Sequence, residues 1–316
     1  MDPLLHAWAD AQQFVFEALL LPVMLAVGLD HRLEDGYAAT GWLLLGVVQV
    51  LLIATVLRGL ERWKPAETQD DRAAVRPDVV YTLLHRLGIV QVALYFTLVP
   101  LLDGLLGQAR LWGFAPPALD AWWPALTLHP LLSFVVYLVV FDFFEYLYHR
   151  AQHAFNPWWA LHALHHSQRQ LSCWSDDRNH LVDDVIHAAA FAVLAWVLGV
   201  PPAQFMALVV VTQMLESLSH TNVRLHFGPL RGLLVSPAFH RRHHAIGVGH
   251  ESAGPGSLGG CNFGVLLPVW DVIFGTADFR AEPVATGIRD QLDGRDYGRG
   301  VLAQQWLGLR RLLRNG

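Results

Sequence analysis

DFFEYLYHRAQHAFNPWWALHALHH, residues 142–166, decides how the chain is read. An apolar helix ends here in five histidines: His149, His153, His162, His165 and His166. His149 and His153 are four apart, which on a helix puts them one turn apart on one face. His162 stands three before His165 and four before His166, within a helical turn of both. The same spacing returns at His240, His243 and His244. Imidazole is a common ligand for zinc, iron and related metals, and a structural zinc site needs only four ligands. Eight histidines exceed one ordinary metal. The pattern predicts a two-metal cluster in which each ion takes several imidazoles and keeps room for a non-protein ligand.

The setting of these histidines is a membrane. Of 316 residues, 53% are hydrophobic and only 16% charged, a balance wrong for an ordinary soluble globule. Twelve tryptophans suit a large interface at headgroup level. Lys64 is the single lysine, and a net charge of -5 gives no basic field for nucleic acid. Cys173 and Cys261 are isolated thiols that indicate neither a disulfide scaffold nor a thiolate metal site. The first thirty residues lack a basic leader and a small-residue cleavage site, so Phe14 to Gly28 reads as a retained span.

Apolar runs occur at 12–29, 41–58, 78–107, 128–148, 183–199 and 203–219; the first two are close to the roughly 20 residues that cross the hydrocarbon, the third is long enough to cross with tilt or to leave the bilayer as an interfacial helix, and the last two are slightly short. Between the second and third runs, Arg58, Arg62, Lys64, Arg72 and Arg76 mark a polar, helix-poor segment on the cytoplasmic side. Pro116 and Pro117 break the chain before the fourth run. Gly199, Pro201 and Pro202 join the last two runs into a tight hairpin, either crossing or shallow. Alternation then puts 149–180 and 220–316 on one face, so every histidine box shares the cytosolic side. The fold expected is all-α: an integral membrane helical bundle of about six apolar spans, some of them re-entrant in the alternative, with a histidine-rich metal-binding cap.

Further residues join the boxes. His220, at the inner end of the sixth run, and His180, in DDRNH, are candidate ligands at the membrane boundary. His187, His226 and His250 are weaker candidates, and His6, His31, His85 and His129 are expected outside the site. Asp142 and Glu145 share a helical stripe with His149, and a carboxylate in a span is costly unless paired, solvated or functional. Either could accept the second ring N–H of a ligating histidine and fix its tautomer. Asp176, Asp177, Asp183 and Asp184 offer other acceptors, with Arg178 as their ion-pair partner. The 252–260 stretch is a glycine- and serine-rich loop without a phosphate-loop pattern. The segment 262–276 is apolar but too short to cross. The tail, 299–314, is an amphipathic helix that either lies on the inner membrane surface or docks on its own domain.

Taken together, these motifs resemble the fatty acid hydroxylase superfamily, also called the sterol desaturase family. The matching signs are D-x-x-x-Y-x-x-H-R-x-x-H from Asp142 through Tyr146 to His153, Trp159 with HALHHS at 162–167, and Arg178 with His180. They continue with HTN at 220–222, PAFHRRHH at 237–244, and NFG with WDVIFGT across 262–276. The resemblance covers about residues 78–277. Asp176 and Asp177 depart from it, because many members carry a threonine and a hydrophobic residue ahead of the arginine. It implies a membrane-bound non-haem di-iron oxidoreductase that hydroxylates or desaturates lipids. The implied ligands are His149, His153, His162, His165, His166, His220, His240, His243 and His244, with His180 a tenth. Asn262 and Asp271 take supporting roles beside the site, as do Asp142, Glu145 and Asp177.

The resulting expectation is oxygen-dependent hydroxylation of a C–H bond in a membrane lipid, fatty acyl, sterol or other isoprenoid. Two iron ions (Fe2+/Fe3+) are the cofactor and O2 the co-substrate. With no fused electron-transfer domain in the sequence, electrons come from a separate cytochrome b5-like protein, ferredoxin or reductase. A desaturase with the same centre is the alternative, and a membrane metal transporter or sensor a more distant one. The domain boundaries read as 1–77 for a helical hairpin and loop, 78–277 for the catalytic region and 278–316 for the tail. A bacterial inner membrane is the expected location.

Overall fold

The computed structural model describes residues 3–114, 118–246, 259–282 and 284–315, and among them all regular structure is helical. The break expected at Pro116 and Pro117, His250, and the 252–260 loop up to residue 258 lie outside the described residues. Two long helices come first, α1 (Pro3–Ala26) and α2 (Asp30–Trp63). Their outward faces are apolar, with Phe14, Leu19 and Val23 on α1 and Val48, Leu51 and Val56 on α2 exposed. As far as Gln49 the inward face of α2 is small and polar, with Gly36, Thr40, Gly41, Gly46 and Gln49 buried, and beyond it Ile53 and Leu57 join an apolar cluster. That inversion is the signature of a helix whose outer solvent is lipid.

Then follow α3 (Arg72–Arg86), started by the Asp71 side chain, which accepts from the amides of Ala73 and Ala74, and α4 (Ile89–Leu111). Gly46 lies directly beneath the Arg86 carbonyl, leaving no room for a Cβ, so α2 and α3 pack backbone to backbone. After a connection with two short helical turns comes α5 (Pro130–Ala154), whose buried stripe of Asp142, Tyr146, His149 and His153 runs straight into the histidine region. An extended Phe155 turns the chain into α6 (Asn156–His166). The longer helices that follow are α7 (Leu181–Leu198), α8 (Pro202–His220), α9 (Pro237–His243) and α10 (Val301–Asn315), with a single helical turn at Val269–Ile273 between the last two. Residues Tyr137, Phe141, Tyr148, Phe191 and Leu208 form a core where α5, α7 and α8 meet. The other side of α6 is covered by α10.

The helical membrane class holds, but the span count changes. Among the described residues four helices, α1, α2, α5 and α7, are long and apolar enough to cross a membrane. The expected run 78–107 is divided at Leu87–Gly88 into α3 and α4, and α3 buries Asp78, His85 and Arg86. The last run, α8, carries Gln204, Gln213, Glu216 and His220, which dilute its apolar surface. The polar segment after α2 is also less helix-poor than expected. Helix continues to Trp63 and resumes at Arg72, because Glu61 is buried and accepts the amides of Cys173 and Asn222 at 2.7 and 3.0 Å.

The segment 262–276 packs against the histidine region. The Asp142 carboxylate accepts the amides of Leu266 (2.8 Å) and Leu267 (3.1 Å) and the indole N–H of Trp270 (2.8 Å). Asp271 accepts the amides of Phe263 and Gly264 and the Thr276 hydroxyl. Asn262 donates to the carbonyls of Phe239 and Asp278 and accepts the Asp278 amide. Three polar side chains thus nail an irregular strip across the inner ends of α5 and α9.

Candidate metal centre

Nine buried histidines form two groups. His149, His153, His162, His166 and His243 make one; His165, His220, His240 and His244 make the other. In each group one ring nitrogen per histidine lies within 4.8 Å of the corresponding atoms of the others. Helical geometry explains the sorting. The pairs His149/His153, His162/His166 and His240/His244 are each one turn apart, so each pair converges on one point.

Three of the rings are aimed by backbone carbonyls. His149 Nδ1 lies 2.9 Å from the Phe263 carbonyl, His243 Nδ1 2.7 Å from that of Cys261, and His220 Nδ1 2.8 Å from that of Glu216. A carbonyl only accepts, so each Nδ1 carries the proton and each Nε2 keeps its lone pair. Those lone pairs face other imidazoles. His220 Nε2 lies 3.1 Å from His165 Nε2 and 2.9 Å from His240 Nε2, and His240 Nε2 lies 3.1 Å from His244 Nε2. In the other group His243 Nε2 and His166 Nε2 are 3.1 Å apart.

A metal ion fits these donors. With metal–nitrogen bonds of about 2.1 Å, neighbouring ligands stand about 3.0 Å apart at right angles and about 3.4 Å apart at tetrahedral angles. The observed spacings fall in that region. His162 Nε2 is buried with no hydrogen-bond partner among the described residues, a cost that a folded chain does not carry without return. Burial, reinforced by neighbouring imidazoles, holds His165, His240 and His244 well below the ordinary histidine range. They are therefore neutral at pH 7, the protonation state that ligates.

Carboxylates approach from outside. Asp183 Oδ2 lies 3.7 Å from His162 Nδ1, and its carboxylate also accepts from Tyr148, Gln152 and Trp158. Asp176 Oδ1 lies 3.6 Å from His220 Nδ1. Behind Asp176 stands Arg86, which donates to Asp176 at 2.7 Å and to Asp177 at 2.9 Å. Arg178, expected to pair with these aspartates, instead donates to Asp78 at 3.1 Å.

The structure brings together nine of the ten expected ligands. His180 stays apart: its Nε2 donates to the Gln305 carbonyl at 2.9 Å and its Nδ1 accepts the Val182 amide, capping α7. Both nitrogens are committed to holding helices. The expected roles of Asp142 and Glu145 also shift. Asp142 is bound to the 266–270 strip, and Glu145 pairs with His187 at 2.9 Å. Neither takes a ring N–H from a histidine of the two groups in any of these contacts. Asp177 reaches the site through Arg86, while Asn262 and Asp271 brace the strip that carries the Phe263 and Cys261 carbonyls. Those carbonyls were missed from sequence because a main-chain acceptor has no residue signature. Asp183, one of four flanking carboxylates, could have been singled out only by knowing that α7 packs against α5.

From the histidines a cavity of about 890 Å³ runs outward between helices, lined near the site by His149, His165 and His220 and farther out by Leu43, Leu98 and Leu102.

The family model for fatty acid hydroxylases matches residues 134–276. The chain is 28% identical to ornithine lipid hydroxylase OlsE of Rhizobium tropici over 91% of its own length and 82% of that protein. It is 29% identical to alkylglycerol monooxygenase of Homo sapiens over 46% of its length, spanning 31% of that protein, and also 29% identical to the Caenorhabditis elegans protein of the same name over 45% of its length and 26% of that protein. No solved structure matches. Both histidine groups lie inside the stretch that matches the fatty acid hydroxylase model, so the likeness rests on the residues that form the site.

Proposed function

We propose that this chain is an oxygen-dependent hydroxylase of a membrane lipid with two iron ions as its cofactor. The observation that carries the reading is the placement of two histidine groups at the inner end of a cavity whose outer part is apolar. His149, His153, His162, His166 and His243 would hold one ion; His165, His220, His240 and His244 would hold the other. When bound, such a pair would supply the redox chemistry by which O2, two external electrons and two protons convert C–H to C–OH with the second oxygen atom leaving as water, which zinc cannot do.

The protein's own part is positioning. Leu43, Leu98 and Leu102 give the lipid chain an apolar bed that leads to the histidines. Tyr146 and Phe263, both fully buried, help close the far wall beside His149. Asp183 and Asp176 stand where they can balance charge gathered on His162 and His220. The names of the relatives, a hydroxylase and two monooxygenases, favour hydroxylation over desaturation, and their different lipids support a polar membrane lipid as the substrate class without choosing one.

The end of α2 and the residues that follow it, with Arg58, Arg62 and Lys64, are joined to the histidine region: the Arg224 amide donates to the Lys64 carbonyl at 3.0 Å and the Ala66 amide to that of Asn222 at 3.2 Å. Basic residues beside spans favour the cytoplasmic side. On this reading the site faces the cytosol at a bacterial inner membrane and receives electrons there from a separate cytochrome b5-like protein, ferredoxin or reductase. The catalytic region, 78–277, works with 1–77 and 278–316 packed around it.

Lipid profiling of cells with and without the chain, repeated with His165→Ala under 18O2, tests this. One 18O atom in a lipid, only with the intact chain, is the expected result. A lipid lighter by two hydrogens would assign desaturation. Tightly bound zinc with no oxygen-dependent product would end the proposal.

A further inference from the structure

Helix α10 is packed inside out. Its buried side chains are polar: Gln304 is 1% exposed and Arg311 9%, with Gly308 beside them on the same face. Gln304 donates to the Gly298 carbonyl, and Arg311 donates to the Ala160 carbonyl on α6 while lying 4.4 Å from the centre of the Tyr297 ring. Gly308 sits against the His180 ring so closely that a Cβ has no place. The opposite face carries Leu302, Trp306 and Leu313, at 85%, 60% and 82% exposure. At roughly 100° per residue these three fall on one stripe, and Arg310 and Arg314 lie along its flank. A helix that spends its polar groups on its own protein and leaves its apolar stripe uncovered requires another apolar phase.

The height of α10 identifies that phase. Gln305 ties the helix to the first residue of the candidate span α7: its side chain accepts the Leu181 amide at 2.9 Å and donates to the Asn179 carbonyl at 2.9 Å. The end of a span lies at headgroup level, so α10 does too. From there the exposed residues Leu181, Val182, Val185 and Ile186 continue along α7. We infer that α10 is an interfacial helix whose Leu302, Trp306 and Leu313 stripe is seated in the bilayer surface, with Arg310 and Arg314 reaching anionic headgroups. Tryptophan at the boundary and arginines that extend to the phosphates suit that position. The inference stands apart from the chemistry at the histidines.

The test uses the full chain, purified and reconstituted in phosphatidylcholine vesicles with and without phosphatidylglycerol. Leu302 and Leu313 are replaced in turn by p-benzoylphenylalanine, and Asp293, an exposed loop residue, serves as the control. After irradiation, mass spectrometry is expected to find lipid adducts at both helix positions and none at the control. Phosphatidylglycerol adducts should exceed that lipid's share of the vesicle on the order of threefold. Arg310→Ser with Arg314→Ser should remove the enrichment and leave the adducts. Crosslinks to a second copy of the chain, or no lipid adduct at either helix position in protein that retains its thermal transition, would overturn the inference.

Discussion

His165 and His166 are neighbours in the chain, yet their imidazoles belong to different groups, His165 with His220, His240 and His244, and His166 with His149, His153, His162 and His243. Successive helical residues diverge by roughly 100°, so a His-His pair at the inner end of a helix serves two centres at once. His243 and His244 repeat the device from α9.

Each pair can therefore be used to unload one centre at a time. His243→Ala and His244→Ala should each lower bound metal to about half of the parent content, since losing one ligand weakens a site sharply. The combined variant should approach none. Elemental analysis of purified protein reads the ratio. Equal, complete loss in both single variants would mean that the groups do not bind independently.

His180 separates ligation from helix capping. Because both of its nitrogens are taken by Gln305 and Val182, His180→Ala should leave metal content unchanged. Stability should fall by about 1–2 kcal/mol for the lost cap and buried hydrogen bond. Denaturant unfolding in detergent, run beside elemental analysis, distinguishes the two roles. Loss of metal with stability intact would return His180 to the ligand set.

The difference between His180 and its neighbours explains what could be read from sequence. The spacing of His149/His153 and of both HxxHH boxes encodes convergence, because ligands on one helix are fixed by the helix. His180 shares the composition and the boundary position but lies at a helix start, where the neighbouring α10 decides its partners, and α10 is more than a hundred residues away. Asp142 and Glu145 find other partners for the same reason. Their stripe on α5 was correct, but the 266–270 strip and His187 on α7 reach them first. Membrane class was visible in composition, whereas the span count was not: α3 carries Asp78, His85 and Arg86 to partners on α7 and in the 167–180 connection, and only the tertiary structure shows that these charges are satisfied.

Stability should depend on pH with opposite signs at the two ends. In chelator-stripped protein His165, His240 and His244 are held low by burial first and neighbouring imidazoles second. Below the ordinary histidine value of about 6.5 the unfolded chain takes up protons that the native site refuses, so stability falls with pH. His85 behaves oppositely. Burial would lower it, but the hydrogen bond and charge of Asp184, with the charge of Asp177, raise it to about 9. Its contribution is complete below about pH 6.5 and disappears as pH rises through 9. Unfolding midpoints between these limits should give a maximum, and His85→Gln should flatten the alkaline side while leaving the acid side in place.

Arg86 should matter to the site without touching it. Its guanidinium is almost wholly buried between Asp176 and Asp177, and Asp176 in turn stands 3.6 Å from His220. Removing the cation leaves two carboxylates buried together, and loss of one partner from a buried pair costs about 3–5 kcal/mol. Arg86→Gln should therefore destabilise the protein by that amount in denaturant unfolding and weaken metal retention in the group that contains His220. Adding Asp176→Asn and Asp177→Asn removes the stranded charges and should recover much of the stability, but not the metal retention, because the carboxylate beside His220 is then gone. If the triple variant is no more stable than Arg86→Gln alone, the cost lies in lost packing against α2 and α8 and the charge account fails.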